Sequence, residues 1–410
     1  MNFLIEDTPD GKRYFVTMEM QDIEDGSTTE VIMEELGGIK SLERRFGKED
    51  PVGKAREYAE NLTEEEWNER EYYTIKFSTE RELLDDDKQL TYNVGYLFLR
   101  YTYLILELDK VCAEIKEELH LNFDLNDILS NILYTRIIYP DSPESFVKKQ
   151  EYFFEHNEHS EEEIVKALEV LGSEAQSDRI RLHIKDRLLK LFGYGKDDTY
   201  YYENAGFAFF LTWYDELGVK ETASKTSDTY LIRRMGIYTG KDSIPIIYTI
   251  TEGTLSKEDT LKELDNDLGF SPKGIIECNK TEPLAYDKRF GTRTRTELRK
   301  VSPDIDSCIG KMDMDTVVRS HFTVAFLSLI IKRFVEYRMK NVENELLPKK
   351  VTETLQEMNL LYINDDFFLG SYRRSRITDA LHDGYGFYTD YNILKKETME
   401  KIISDMENNR

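Results

Sequence analysis

The residues able to do chemistry are carboxylates, a few histidines and one basic cluster. Gly193-Tyr-Gly195-Lys196-Asp197-Asp198 has the look of a phosphate-binding loop, but Lys190 stands where the first glycine should be and Asp197 where Ser or Thr should follow. His156 and His159 are spaced to approach one metal ion, yet they sit in a polar stretch before a helix, without a third ligand nearby. No Gly-x-Ser-x-Gly elbow occurs, and Cys112, Cys278 and Cys308 are too scattered for a disulfide framework or a paired-cysteine zinc site. Acids alone carry little information, because 80 of 410 residues are Asp or Glu. Any acid must therefore be placed by the sequence around it. The basic cluster is more distinctive. Residues 281–300 hold six basic and three acidic side chains, and Lys288, Arg289, Arg293, Arg295, Arg299 and Lys300 form its positive set. In Gly-Thr-Arg293-Thr-Arg295-Thr the alternation would put both guanidiniums on one face of a strand, where they suit phosphate; a solvated edge strand is the equal alternative.

The elements that must position these groups are legible in outline. A net charge of −25 argues against non-specific phosphate binding by the chain as a whole. Residues 1–90 carry about half of that excess, which confines any nucleic-acid surface to the second half. Residues 13–36 read as a β-hairpin turning at Asp25-Gly26. A helix is expected to start at Asp50-Pro51, another to run from about Gly95 to Leu119, and a third to open at Asp127 and stop before Pro140. Ser160 and Glu163 form a capping-box pattern, and Gly172 sits where a C′ residue would. After residue 190 come β-rich runs at 230–240 and 243–251, a helical segment at 257–268 and a short strand candidate at 274–278. Strand, strand, helix, strand implies a mixed α/β core. Residues 317–345 return to helix. His321 to Met339 reads as a core helix, with Lys332, Arg333 and Arg338 at its polar end, and 347–410 reads as smaller helices with loops. The expected regions are 1–80 (hairpin and helix), 81–190 (helical), 191–316 (sheet-bearing core) and 317–410 (helical). The start of the chain lacks an apolar leader and the run Phe322–Ile331 is short for a bilayer, so a reducing cytoplasm and no membrane partner are expected.

Several segments, in order, resemble bacterial insertion-sequence transposases of the DDE superfamily, in the group with long helical N-terminal regions. Asp127 to Ser142, with Arg136 and Pro140, is similar to that group's helix ending in an Arg-Ile-x-x-Pro-x-Ser turn. Asp197-Asp198-Thr199-Tyr-Tyr-Tyr-Glu203 resembles its Asp-x-Thr stretch. Ser224-Lys225, Met235-Gly236-Ile237, Ile244-Pro245, Glu252-Gly253-Thr254 and Thr260-Leu261-Lys262 follow its later elements. His321-Phe322 with Phe326-Leu327 resembles its Ala-His-Phe helix, and Leu355 to Met358, Thr378 to His382 and Gly386-Phe387 its tail.

The resemblance implies an α+β protein with a ribonuclease-H-like core between a long helical N-terminal region and C-terminal helices. It also implies double-stranded DNA at insertion-sequence ends as substrate, and a second copy of the chain as a further partner. Three carboxylates would hold Mg²⁺ or Mn²⁺, because a phosphodiester needs an activated oxygen nucleophile and a stabilised leaving oxygen, and two hard cations roughly 4 Å apart supply both. The first acid maps to Asp197, with Asp198 as the near alternative. Asn279 stands where the second belongs, and Glu277 or Glu282 would have to replace it. The third maps to Asp306, Asp in place of Glu. Only 27 residues separate Asn279 from Asp306, where the family carries a long insertion. An incomplete acid set implies impaired cleavage and strand transfer, or a transposase-derived DNA-binding or interaction protein without catalysis.

Overall fold

The computed structural model describes residues 1–9, 11–21, 28–63, 91–142, 146, 149–155, 157–210, 213–214, 220–221, 230–252, 256–277, 298, 303–308, 311–340, 348–364 and 366–408. The chain divides into two compact units, Met1–Lys88 and Gln89–Arg410.

In the first unit the expected hairpin is present as β2 (Gly11–Gln21) against β3 (Thr28–Gly37), and its turn lies outside the described residues. A further strand that the sequence did not announce, β1 (Asn2–Thr8), pairs antiparallel with β2. Two helices, α1 (Ile39–Phe46) and α2 (Pro51–Asn61), cover this sheet and bury Tyr14, Val16, Leu36, Leu42 and Ala55. The Asp50-Pro51 start signal works as expected: Asp50 accepts from the Gly53 N–H at 3.1 Å and Pro51 occupies the first turn.

The second unit begins with β4 (Thr91–Asn93) and a helical bundle. The long helix expected over 95–119 is broken into α3 (Tyr96–Ile105) and α4 (Leu108–Glu118), because Glu107 adopts a left-handed conformation, φ 56°. Next comes α5 (Leu125–Ile138). Its cap is Asp124, which accepts from the Asp127 N–H at 2.9 Å, so Asp127 lies in the first turn instead of opening the helix. The Ser160–Glu163 box caps α6 (Glu161–Gly172) reciprocally. Gly172 is no left-handed terminator. It is the last helical residue, and a Cβ there would meet the Thr316 carbonyl oxygen at 2.3 Å, so close packing is what requires it. The bundle continues with α7 (Glu174–Phe192).

A mixed sheet follows, made of β5 (Thr199–Phe210), β8 (Tyr230–Thr239), β9 (Pro245–Glu252) and β10 (Gly274–Glu277), with the short pair β6 (Trp213–Tyr214) and β7 (Lys220–Glu221) between β5 and β8 in the chain. The order across the sheet is β10-β5-β8-β9. The strands β5, β8 and β9 form an antiparallel meander, and β10 returns parallel to β5 after the crossover helix α8 (Lys257–Leu268). The strands near 230–250 and 274–278 therefore share one sheet, as the sequence predicts.

Both faces of this sheet are covered. Tyr200, Tyr202 and Tyr238 lie on the α8 side, where the Tyr238 hydroxyl donates to Asp265 at 2.7 Å. The β5–β8–β9 register puts Glu203, Ile237 and Tyr248 on the other face, where Tyr248 packs on Phe326 with ring centres 4.5 Å apart.

Phe326 belongs to α10 (Met314–Lys340), which follows the short helix α9 (Pro303–Asp306). The apolar stretch Met314–Met339 is long enough to cross a bilayer, but 83% of its apolar window is packed inside the protein, and it is the central core helix. The tail is α11 (Pro348–Glu357), β11 (Asn359–Asn364), β12 (Phe367–Gly370), α12 (Arg376–Tyr385), β13 (Ile393–Lys395) and α13 (Lys396–Asn408). Its strands join β4 in a second, antiparallel sheet, ordered β13-β12-β11-β4, where only helices and loops were expected. A single hydrophobic core runs from Val94 to Met406, so the regions 81–190, 191–316 and 317–410 are packed on one another.

Candidate functional site

The first acids are set by the end of α7. Gly193 takes the left-handed C′ conformation, φ 65°, and the chain turns before entering β5. Asp198 closes that turn, accepting from the Gly195 N–H at 2.9 Å. Asp197 points into solvent, 78% exposed, and among the described residues its ion-pair partner is Lys273, 4.0 Å away. Glu277 ends β10 and is ion-paired with Lys257 of α8. The parallel register pairs Gly274 with Thr199 and Glu277 with Tyr202. Thr199 and Tyr202 are about 10 Å apart along the strand, and Asp197 and Asp198 precede Thr199. The structure thus does not bring Asp197 or Asp198 together with Glu277. They stand at opposite ends of the β5–β10 pair.

Asp306 is the last residue of α9, and its side chain lies outside the described residues. Asn279, Glu282 and the basic set Lys288, Arg289, Arg293, Arg295, Arg299 and Lys300 also lie outside them. Among the described residues, no group of three or more His, Cys, Asp or Glu side chains is arranged to hold a metal ion. The described carboxylates therefore do not fit a two-metal centre.

Two buried acids were not singled out by sequence. Glu203, 3% exposed, sits on the central strand β5, at the level where β10 ends. Asp304 lies in α9, two residues before Asp306, and accepts from the Phe146 N–H at 3.1 Å; burial pushes its carboxyl up to about 6. Glu203 closes the Asp-x-Thr stretch without having been given a role there, and nothing in the local sequence of Asp304 separates it from the other acids of this chain.

Two histidines, His159 and His321, are accounted for by hydrogen bonding within the fold. His159 is bonded to Asp127 at 2.5 Å, which accounts for it without a metal, and His156 lies outside the described residues. His321 is 1% exposed and its Nε2 donates to the Leu298 carbonyl at 2.7 Å. Burial, helped by the nearby positive charge of Arg136, pulls its imidazole down to about 4, so it is neutral. The basic end of α10 is also spent on packing. Arg333 is buried and paired with Glu336 at 3.0 Å, and Arg338 lies over the Tyr385 ring at 4.7 Å.

Comparison with known proteins returns no match to a family model, to a curated protein or to a solved structure.

Proposed function

We propose that this chain is a DDE-type transposase-family protein that binds insertion-sequence DNA and is impaired in metal-dependent cleavage and strand transfer. The observation that carries the reading is the strand order: an antiparallel meander, a crossover helix, then a fourth strand parallel to the first. A ribonuclease-H-like core combines those same parts, and the order supports one here. The motif segments also fit the reading, since Arg136, from the Arg-Ile-x-x-Pro turn, lies within electrostatic range of His321 in the His-Phe helix.

Impairment rests on the acids. Two divalent ions bring four positive charges, and a three-carboxylate site balances three of them before the scissile phosphate arrives. With Asn279 in the middle position only two protein charges remain. The wide separation of Asp197 from Glu277 weighs in the same direction and favours the non-catalytic, DNA-binding form of the reading.

The test is nicking of supercoiled DNA in Mg²⁺ or Mn²⁺, with Asp306→Ala as control for contaminating nuclease, run beside a DNA-binding titration. DNA binding with absent or very weak nicking is the expected result. Robust nicking that disappears in Asp306→Ala would overturn the impairment, and failure to bind DNA at low salt would overturn the transposase-family reading itself.

A further inference from the structure

Between α3 and α5 the helical bundle opens into a cavity of about 290 Å³. Its walls are out of character with their surroundings. Eleven of the fourteen residues of α5 are buried, yet the stripe Asp127, Ser130, Asn131, Tyr134, recurring every three or four residues, is polar. α3 adds Tyr96, Arg100 and Tyr103 at the same kind of spacing. A helix surrounded only by other helices would place apolar side chains there, because buried polar groups cost free energy unless they are satisfied.

Charges of both signs gather around one point, the Tyr134 hydroxyl, on which Arg100, Glu155 and Asp127 all act. Arg100 is held firmly. Its Nε meets Glu155 at 3.1 Å and its Nη2 meets Glu407 of α13 at 2.9 Å. Its third nitrogen, Nη1, is buried and has no hydrogen-bond partner among the described residues. Glu155 lies at the rim, 45% exposed, and partial burial pushes its carboxyl up, an effect that Arg100 offsets only in part. The cavity thus offers a fixed, unmet donor beside carboxylates.

We propose that this cavity binds a small zwitterion of the amino-acid class, whose carboxylate accepts from Arg100 Nη1 and whose ammonium faces Asp127 and Glu155. A lone oxyanion would meet the four carboxylates of the lining (Asp109, Asp127, Glu155 and Glu407), where Arg100 is the one guanidinium among the described lining residues. A lone amine would leave the buried Nη1 donor unmet and face its positive charge. A zwitterion satisfies both poles at no net charge. At about 290 Å³ the volume lies just below the range of about 300–1,000 Å³ typical of ligand pockets, which suits a ligand of amino-acid size. The site is independent of the transposase reading.

The test is calorimetric titration and thermal shift of the full chain with each of the twenty standard L-amino acids. For any that binds, the matched amine lacking the carboxylate and the matched acid lacking the amine are titrated beside it. At least one amino acid should bind, with both truncated analogues at least tenfold weaker. No binding by any amino acid would identify the cavity as solvent space and overturn the proposal. An amine that binds as tightly as its parent would also overturn it, because the acids alone would then explain the affinity. Arg100→Lys keeps the charge for Glu155 but lacks the second guanidinium nitrogen, and should weaken binding at least tenfold. Because Arg100 also ties α3 to α13, Asn131→Leu provides a second variant. It replaces a polar wall residue at similar volume, and should abolish binding while leaving unliganded thermal unfolding near that of the parent. Unchanged affinity in both variants would overturn the assignment.

Discussion

Replacing Asp304 by Asn should stabilise the protein at neutral pH, and the gain should shrink as the solution is acidified. The carboxyl is 5% exposed and, among the described residues, its neighbours supply a backbone N–H from Phe146 but no cation, so burial raises it from an ordinary 3.8 to about 6. The folded state therefore binds more protons than the unfolded state between those values, and folding loses stability as pH rises through that window. At about 1.4 kcal/mol per pH unit of displacement, the full penalty above pH 6 is about 3 kcal/mol. About 1 kcal/mol of it is already present at pH 4.5. Asn carries no charge and can still accept from Phe146 through its amide oxygen, so the stability difference between variant and parent should grow by about 2 kcal/mol from pH 4.5 to pH 8. Urea unfolding of both proteins across that range measures it directly, provided the dependence on denaturant is the same for both. A difference that stays constant with pH, or a variant less stable than the parent at pH 8, would refute the claim that Asp304 is a buried, uncompensated acid.

The remaining expectations concern other elements. His321 is held neutral, down at about 4, so its contribution is complete above pH 6.5 and is lost as pH falls towards 4; His321→Gln should remove about 3 kcal/mol of acid sensitivity over that window, read by unfolding at several pH values. Gly236→Ala should destabilise by about 1–3 kcal/mol, because the added Cβ would stand 2.6 Å from Thr260 Cγ2 on α8; a neutral effect in thermal unfolding would mean that α8 is not packed on β8 as described. Charge reversal of Arg293 and Arg295 together should weaken DNA binding across sequences and flatten its salt dependence; an unchanged salt slope would place the nucleic-acid surface elsewhere.

Where the sequence could be read, a local signal stood alone. Asp50-Pro51 and the Ser160–Glu163 box both begin helices as expected, since a cap depends on atoms only three residues apart. The runs of β8, β9 and β10 around α8 were legible because strand and helix periods differ and the glycines between them mark the breaks. The tail strands were missed for the converse reason. β12 and β13 are four and three residues long, and their stability comes from pairing with β11 and with the distant β4. A three-residue strand has no period to detect. The break at Glu107 was hidden too, because the apolar spacing continues through it while the backbone turns left-handed at a residue whose side chain gives no warning.

Asp197 and Glu277 stand apart for a reason that strand geometry makes plain. A resemblance aligns residues along the chain, whereas a metal cage is assembled across it, and a parallel strand pair converts sequence offset into distance at about 3.3 Å per residue. Asp197 lies just before β5 and Glu277, a candidate replacement for the second acid, at the end of β10, so the two stand at opposite ends of one strand pair. Glu203 lies at the level of Glu277 and closes the Asp-x-Thr stretch, but no ligand role falls to it there, in a chain where acids are everywhere. The polar cavity between α3 and α5 escaped notice for a related reason. Asp127, Asn131 and Tyr134 read along the sequence as ordinary helix residues, and become unusual only once the other side of α5 is seen to be buried as well. In a strongly acidic chain, burial separates a structural or ligand-facing carboxylate from a solvated one, and burial is a property of the fold.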